Sequence, residues 1–207
     1  MKSIDLVRSK DIYCMLNKRT MLQPNCILKW EKKYDIKFSD FQWKSIFQMP
    51  SLLFQSTKIR EFQFKILHRA YASDSVVSNF DKSISKMCQL CDVKNDIIHM
   101  FVECRKVENF WKSLQLWYNS INNSPMTLDK RFIIFGVLTN PLDVAMNFCI
   151  LYAKWYIHLQ KIAKRDVSFK AYLKKLKAAL TTEREIAVKK QKLTQFNKYL
   201  DHILDNL

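Results

Sequence analysis

Glycine is almost missing from this chain. Gly136 is the single glycine in 207 residues, where average usage would supply about 14. Phosphate-cradling loops need several glycines, because the backbone must approach the ligand closely and take up positive φ. A P-loop, a dinucleotide-binding turn and a kinase glycine-rich loop are therefore excluded. Tight two-residue hairpins also favour glycine, which argues against a β-rich protein. No two aspartates are adjacent, HExxH does not occur and no serine is flanked by glycines, so polymerase, metalloprotease and nucleophile-elbow chemistry have no residues to run on. Met1–Lys10 has no apolar core of signal-peptide type. The most apolar stretch, Phe132 to Ala153, is interrupted by Asn140, Pro141, Asp143 and Asn147. It falls short of the about 20 largely uninterrupted apolar residues of a spanning helix. No membrane association is expected. The expected location is intracellular, nucleus or cytoplasm, with the cysteines at 14, 26, 88, 91, 104 and 149 reduced.

Positive charge, in contrast, is abundant. Thirty-five Lys and Arg face 19 Asp and Glu, a net +16. From Lys161 to Lys198 there are 12 basic residues against Asp166, Glu183 and Glu185, and residues 1–50 carry ten against five. A balance of this size points to a polyanionic partner, RNA or DNA held through its phosphates, with a solvated surface as the plain alternative. Apolar residues at 48% and charged residues at 26% are ordinary for a folded protein and exclude disorder.

Helix-start residues recur ahead of apolar runs with helical spacing. Ser9 precedes IYCMLNKR, and Asn25 precedes CILKWEKKY. Ser39 with Gln42 forms a capping-box pattern for a helix that Pro50 is expected to end. Ser56 or Thr57 opens KIREFQFKILHRAYA, whose Ile59, Phe62 and Ile66 share one face. On its other side Lys58, Lys65 and Arg69 fall at i, i+7 and i+11. A polar, irregular stretch spans about Ser73 to Asn95. Val107, Phe110, Trp111, Leu114 and Trp117 then mark an aromatic helix. FIIFGVL fits either a strand or a helix, and Asp143–Arg165 fits a long buried helix. Ser168 caps FKAYLKKLKAAL, in which Lys170, Lys174 and Lys177 oppose an apolar stripe. Thr182 and Glu185 form a second capping box, predicting a separate final helix with a heptad seam of Ile186, Leu193, Leu200 and Leu207. The expectation is an all-α fold: a helical domain over 1–165, containing a zinc loop at 86–104, and a basic helical extension over 166–207.

One motif carries chemistry. Cys88, Cys91, His99 and Cys104 read as CxxC, seven residues, His, four residues, Cys. A CxxC turn sets two thiolates on one side of a tight loop, as two corners of a tetrahedron require. On a regular helix, His99 and Cys104 would lie roughly 140° apart, so His99 is expected on a short turn of its own. Four protein ligands leave no position for water, which makes one structural Zn2+ the expected cofactor rather than a hydrolytic metal.

REFQFKILHR (60–69), then CQLC, HMFVEC and FW (110–111), resembles the zinc-binding C-terminal region of the reverse transcriptases of LINE-type (non-LTR) retrotransposons. DIYCML, WEKKY and FQWKSIF upstream look like the segment preceding that motif in the fish and amphibian members, and ILYAKWYIH like the helix after it. The resemblance implies Cys88, Cys91, His99 and Cys104 as zinc ligands and a role in holding element RNA or target DNA during target-primed reverse transcription. The polymerase and endonuclease domains of that family would lie upstream, and neither is in these residues. The expectation is thus the carboxy-terminal part of a larger protein, or a derelict or repurposed copy, with no catalysis of its own.

Trp30, Trp43, Trp111, Trp117 and Trp155 sit on apolar helix faces and read as core rather than as base-stacking platforms, and His68 and His158 read as packing residues. Nucleic acid contacts are expected instead at Lys58, Lys65, Arg69, Lys170, Lys174 and Lys177. The rival reading is a protein-interaction module that self-associates through residues 186–207 or docks on an upstream polymerase in cis.

Overall fold

A computed structural model describes residues 24–122, 125–139 and 143–207. These residues divide into two compact units, one ending at Lys37 and one running from Phe38 to Leu207. The first unit contains α1 (Asn25–Tyr34), which buries Cys26, Ile27 and Trp30. It closes at Asp35, whose left-handed conformation aims its N–H at the Glu31 carbonyl. Ser9 and the run after it lie outside the described residues.

The second unit is all helical, with no strand among the described residues. Helix α2 (Asp40–Leu53) starts at a capping box: the Gln42 N–H donates to the Ser39 hydroxyl, and the Gln42 side chain accepts from the Ser39 N–H. Pro50 does not end it. It sits in the last turn, and the helix continues to Leu53. Helix α3 (Thr57–Leu67) packs on α2, and α4 (Asp74–Val77) is a single turn. A π turn (His99–Glu103) leads into α5 (Arg105–Asn122). FIIFGVL resolves as α6 (Lys130–Phe135), ended by Gly136 at φ 87°. A Cβ there would stand 2.6 Å from both Asn147 Oδ1 and Met49 Sδ, so this position demands the one glycine.

Helix α7 (Val144–Ile162) is buried nearly all round, from Ala145 to Lys154, and again at Tyr156 and Ile157. Helices α2, α3 and α8 (Phe169–Lys189) pack against it. Phe54 stacks on Phe148 at 4.4 Å, and the Tyr172 hydroxyl donates to the Cys149 carbonyl at 3.0 Å. Two polar side chains are fully buried in this helix. Asn147 bridges both backbone groups of Val137, and the Lys154 ammonium donates to the Ile134 carbonyl at 3.0 Å. Together they hold the chain where α6 turns into its following segment.

The C-terminal region departs from expectation in two ways. Thr182 does not open a new helix, because α8 runs unbroken from Phe169 to Lys189 and the Thr182 hydroxyl donates to the Ala178 carbonyl. The break falls at Lys190–Lys192, with Gln191 at φ 56°. Beyond it come α9 (Leu193–Phe196), a π turn (Asn197–Asp201) and α10 (His202–Asp205). Their apolar residues Phe196, Leu200 and Ile203 are buried, with α9 and α10 packed on α8 and the π turn on α7. Of the expected seam, Leu200 is buried, while Ile186, Leu193 and Leu207 are half-buried.

Candidate metal centre and basic faces

The irregular stretch between α4 and the π turn folds into a short hairpin-like knuckle. The Asp92 N–H donates to the Cys88 carbonyl, the Cys88 N–H to the Val93 carbonyl and the Asn95 N–H to the Lys86 carbonyl. Met87 and Lys94 form the one antiparallel bridge among the described residues. Asp92, at φ 52°, makes the bend after the second cysteine. This backbone carries Cys88 and Cys91 on one side, while His99 and Cys104 arrive from the far end of the loop.

The spacing of His99 and Cys104 is solved by the π turn. Its backbone bond runs from the Cys104 N–H to the His99 carbonyl at 2.7 Å, an i to i+5 link. A turn closed at i+5 brings the two residues onto one face, where a regular helix would separate them. Cys104 also accepts, through its carbonyl, from the Val107 and Glu108 N–H groups that begin α5. One residue thus ends the turn, starts the helix and offers a thiol.

The ligand atoms of Cys88, Cys91, His99 and Cys104 all lie within 4.8 Å of one another, and this cluster could hold a metal ion. Cys104 Sγ is 3.9 Å from both Cys88 Sγ and Cys91 Sγ. Two thiolates at tetrahedral corners about 2.3 Å from a zinc ion would be about 3.8 Å apart, and a disulfide would hold them near 2.05 Å. His99 is buried, and its Nε2 has no hydrogen-bond partner. A buried imidazole nitrogen left unsatisfied beside three thiols is costly for the metal-free fold and fits a metal. Burial works to raise the Cys88 thiol, but His99, the Leu90 and Cys91 N–H groups and Cys104 outweigh it and bring it down to about 6. Cys104 is pushed up to about 11 by its own burial and the Cys88 charge. A cation bound among these sulfurs would favour their thiolate forms.

Residues that the sequence reading passed over tie this loop to the core. The Trp111 indole N–H donates to the Phe101 carbonyl at 2.8 Å, a buried bond from α5 to the π turn. Asn95 donates to one oxygen of Asp74, and the Lys161 ammonium sits 2.7 Å from the other, linking knuckle, α4 and α7. Phe101 packs edge-on against Phe62 and Tyr71. The aromatic spacing of VENFWKSLQLW signalled Trp111, but nothing in the sequence signalled its partner.

The two expected basic rows fare differently. Lys170, Lys174 and Lys177 are all exposed on α8, opposite the buried Tyr172, Leu176 and Leu180. Lys58, Lys65 and Arg69 do not form one helix face. Helix α3 stops at Leu67, Arg69 has turned to φ 56°, and Lys65 is paired with Glu61 at 2.7 Å. Of the tryptophans, Trp30, Trp43 and Trp111 are buried, and Trp117 and Trp155 are half-buried. His158 packs face to face with Phe62, with its Nδ1 2.9 Å from the Tyr71 hydroxyl. No described helix is long and apolar enough to cross a membrane.

Comparison with known proteins leaves this geometry to speak for itself: no protein-family model matches the chain, and no curated protein matches it either.

Proposed function

We propose that this chain is a non-catalytic, zinc-stapled helical module that binds RNA or DNA through its phosphates, of the kind found at the C-terminus of LINE-type reverse transcriptases. The observation that carries the reading is the Cys88–Cys91–His99–Cys104 cluster, buried, thiol-rich and spaced for a tetrahedral ion. Three thiolates and one imidazole suit zinc in preference to harder cations. Because all four donors come from the protein, the ion's work is to fix the knuckle between α4 and α5, not to activate water. The nucleic-acid part rests on the net charge of +16 and on the exposed Lys170, Lys174 and Lys177.

Phosphate gripping makes a quantitative demand. Affinity should fall linearly on a log–log plot against salt, with a slope of roughly 0.7 per phosphate contact on a single strand. Anisotropy titrations of labelled RNA at several salt concentrations measure it. A slope near zero would remove the phosphate-binding reading, because an apolar protein–protein seam shows little such dependence.

A further inference from the structure

Helices α2 and α3 line an open groove of about 470 Å3, with Phe47, Phe64, Leu67 and His68 among its lining together with Thr57, Arg60 and Glu61. Neither the metal cluster nor the α8 lysines use it. Its aromatic rings form a ladder. Trp43 stacks with Phe47 at 5.7 Å and 27°, Phe47 lies 5.2 Å from His68 at 34°, and His68 lies 4.0 Å from Phe64 at 31°. The ladder begins in the core, at a tryptophan 3% exposed, and ends at a phenylalanine 56% exposed. Burial lowers the pKa of His68, which favours its neutral ring.

The surroundings of the groove are cationic. From Lys58 to Arg69 the chain carries Lys58, Arg60, Lys65 and Arg69 against Glu61 alone, and Glu61 is engaged by Lys65. Lys58 and Lys65 are exposed, and Arg60 spends one donor on the Gln55 carbonyl at 3.4 Å. Ring faces that step outward on a helix carrying exposed cations are complementary to a ligand that alternates flat apolar groups with anions. We propose that the α2–α3 groove seats an unpaired base of single-stranded RNA or DNA, stacked on Phe64 and His68, with the neighbouring phosphates met by Arg60 and Lys58. The site rests on the nucleic-acid reading above and adds to it a contact with bases. Stacking of this kind tolerates any base, because every base has a π face, but it is closed to a duplex whose bases are already stacked. A hydrophobic peptide would use the ring faces and leave the exposed cations without a purpose.

The test compares two labelled strands of equal length and charge, an oligodeoxyadenylate and an abasic strand, by anisotropy at one salt concentration. The parent protein should prefer the base-bearing strand by about tenfold. Phe64→Ala should lose that preference without weakening abasic binding, and Phe64→Trp should retain it, with metal content and melting temperature unchanged in both. Equal binding of the two strands by the parent, which needs no variant to observe, overturns the groove site and leaves phosphate gripping intact. Equal weakening of both strands by Phe64→Ala overturns it too. If the parent binds neither strand and no oligoadenylate RNA of the same length, the nucleic-acid reading itself falls.

Discussion

Gly136 and Lys154 show how single positions in this chain are set by their neighbours. Gly136 combines φ 87° and ψ 170°, a region open essentially to glycine alone, with two atoms 2.6 Å from where a Cβ would be. Gly136→Ala should cost about 3 kcal/mol or more, from backbone strain plus overpacking against Met49 and Asn147. Urea denaturation gives the value, and metal content should not change. Lys154 is fully buried with the Ile134 carbonyl as its acceptor, and burial lowers its pKa to about 7. In the unfolded chain it holds its proton to about 10.4. Between those limits the unfolded state binds more protons, so this group makes stability rise with pH. Lys154→Met should therefore stabilise the protein most below pH 7. Its advantage over the parent should shrink by roughly 1 kcal/mol per pH unit between pH 7 and 10. An advantage that is constant with pH would mean Lys154 stays charged in the fold. Of the two, only the lone glycine was legible as an oddity. What they hold was not, because their partners Met49 and Ile134 are distant in sequence.

Elements follow local signals where the signal and the packing agree. The capping box at Ser39 formed because nothing competed with it. The one at Thr182 did not, because α8 was already helical and its buried Tyr172, Leu176 and Leu180 hold it through that point. The π turn was invisible for a different reason: a regular-helix angle says only that His99 and Cys104 cannot share one regular helix, and an extra residue per turn is a way round that. The Trp111–Phe101 bond secures this turn. Trp111→Phe should cost about 1–3 kcal/mol by orphaning a buried carbonyl, and it should lower metal affinity, which competition with a chelator measures. On α8 the three lysines belong to one exposed face. Lys170, Lys174 and Lys177 all changed to Glu should weaken RNA binding on every sequence alike and flatten the log–log salt slope by about two units, with zinc content unchanged. RNA binding as tight as the parent's at low salt would show that this face is solvated surface. The row over Lys58, Lys65 and Arg69 was misjudged because helical spacing was carried past Leu67, where the helix ends.

At the scale of the molecule, helix packing around α7 builds the core, and the knuckle carries the Cys88–Cys91–His99–Cys104 cluster that could hold a metal ion. The core between α2, α3, α7 and α8 is built from aromatic and aliphatic burial, and Phe101 joins it against Phe62. The segment from Met87 to Cys104 has little regular backbone pairing of its own, and under the proposed function it is the part a bound ion would hold. All-α architecture and the four clustered residues were legible from composition and spacing, because glycine poverty and a Cys/His pattern act locally. The division of the chain near residue 37 and the partial burial of the last apolar stripe were not, because both depend on which helix finds which neighbour. Removal of metal should accordingly melt the knuckle and spare most of the helical signal, with structural zinc supplying on the order of 10 kcal/mol to the region it folds. The most direct measurement is the metal content of the purified protein by mass spectrometry, alongside that of Cys91→Ser. The account predicts one zinc per chain in the parent and its loss in the variant. A parent without metal whose knuckle is folded, or a Cys91→Ser variant with full occupancy, would contradict it.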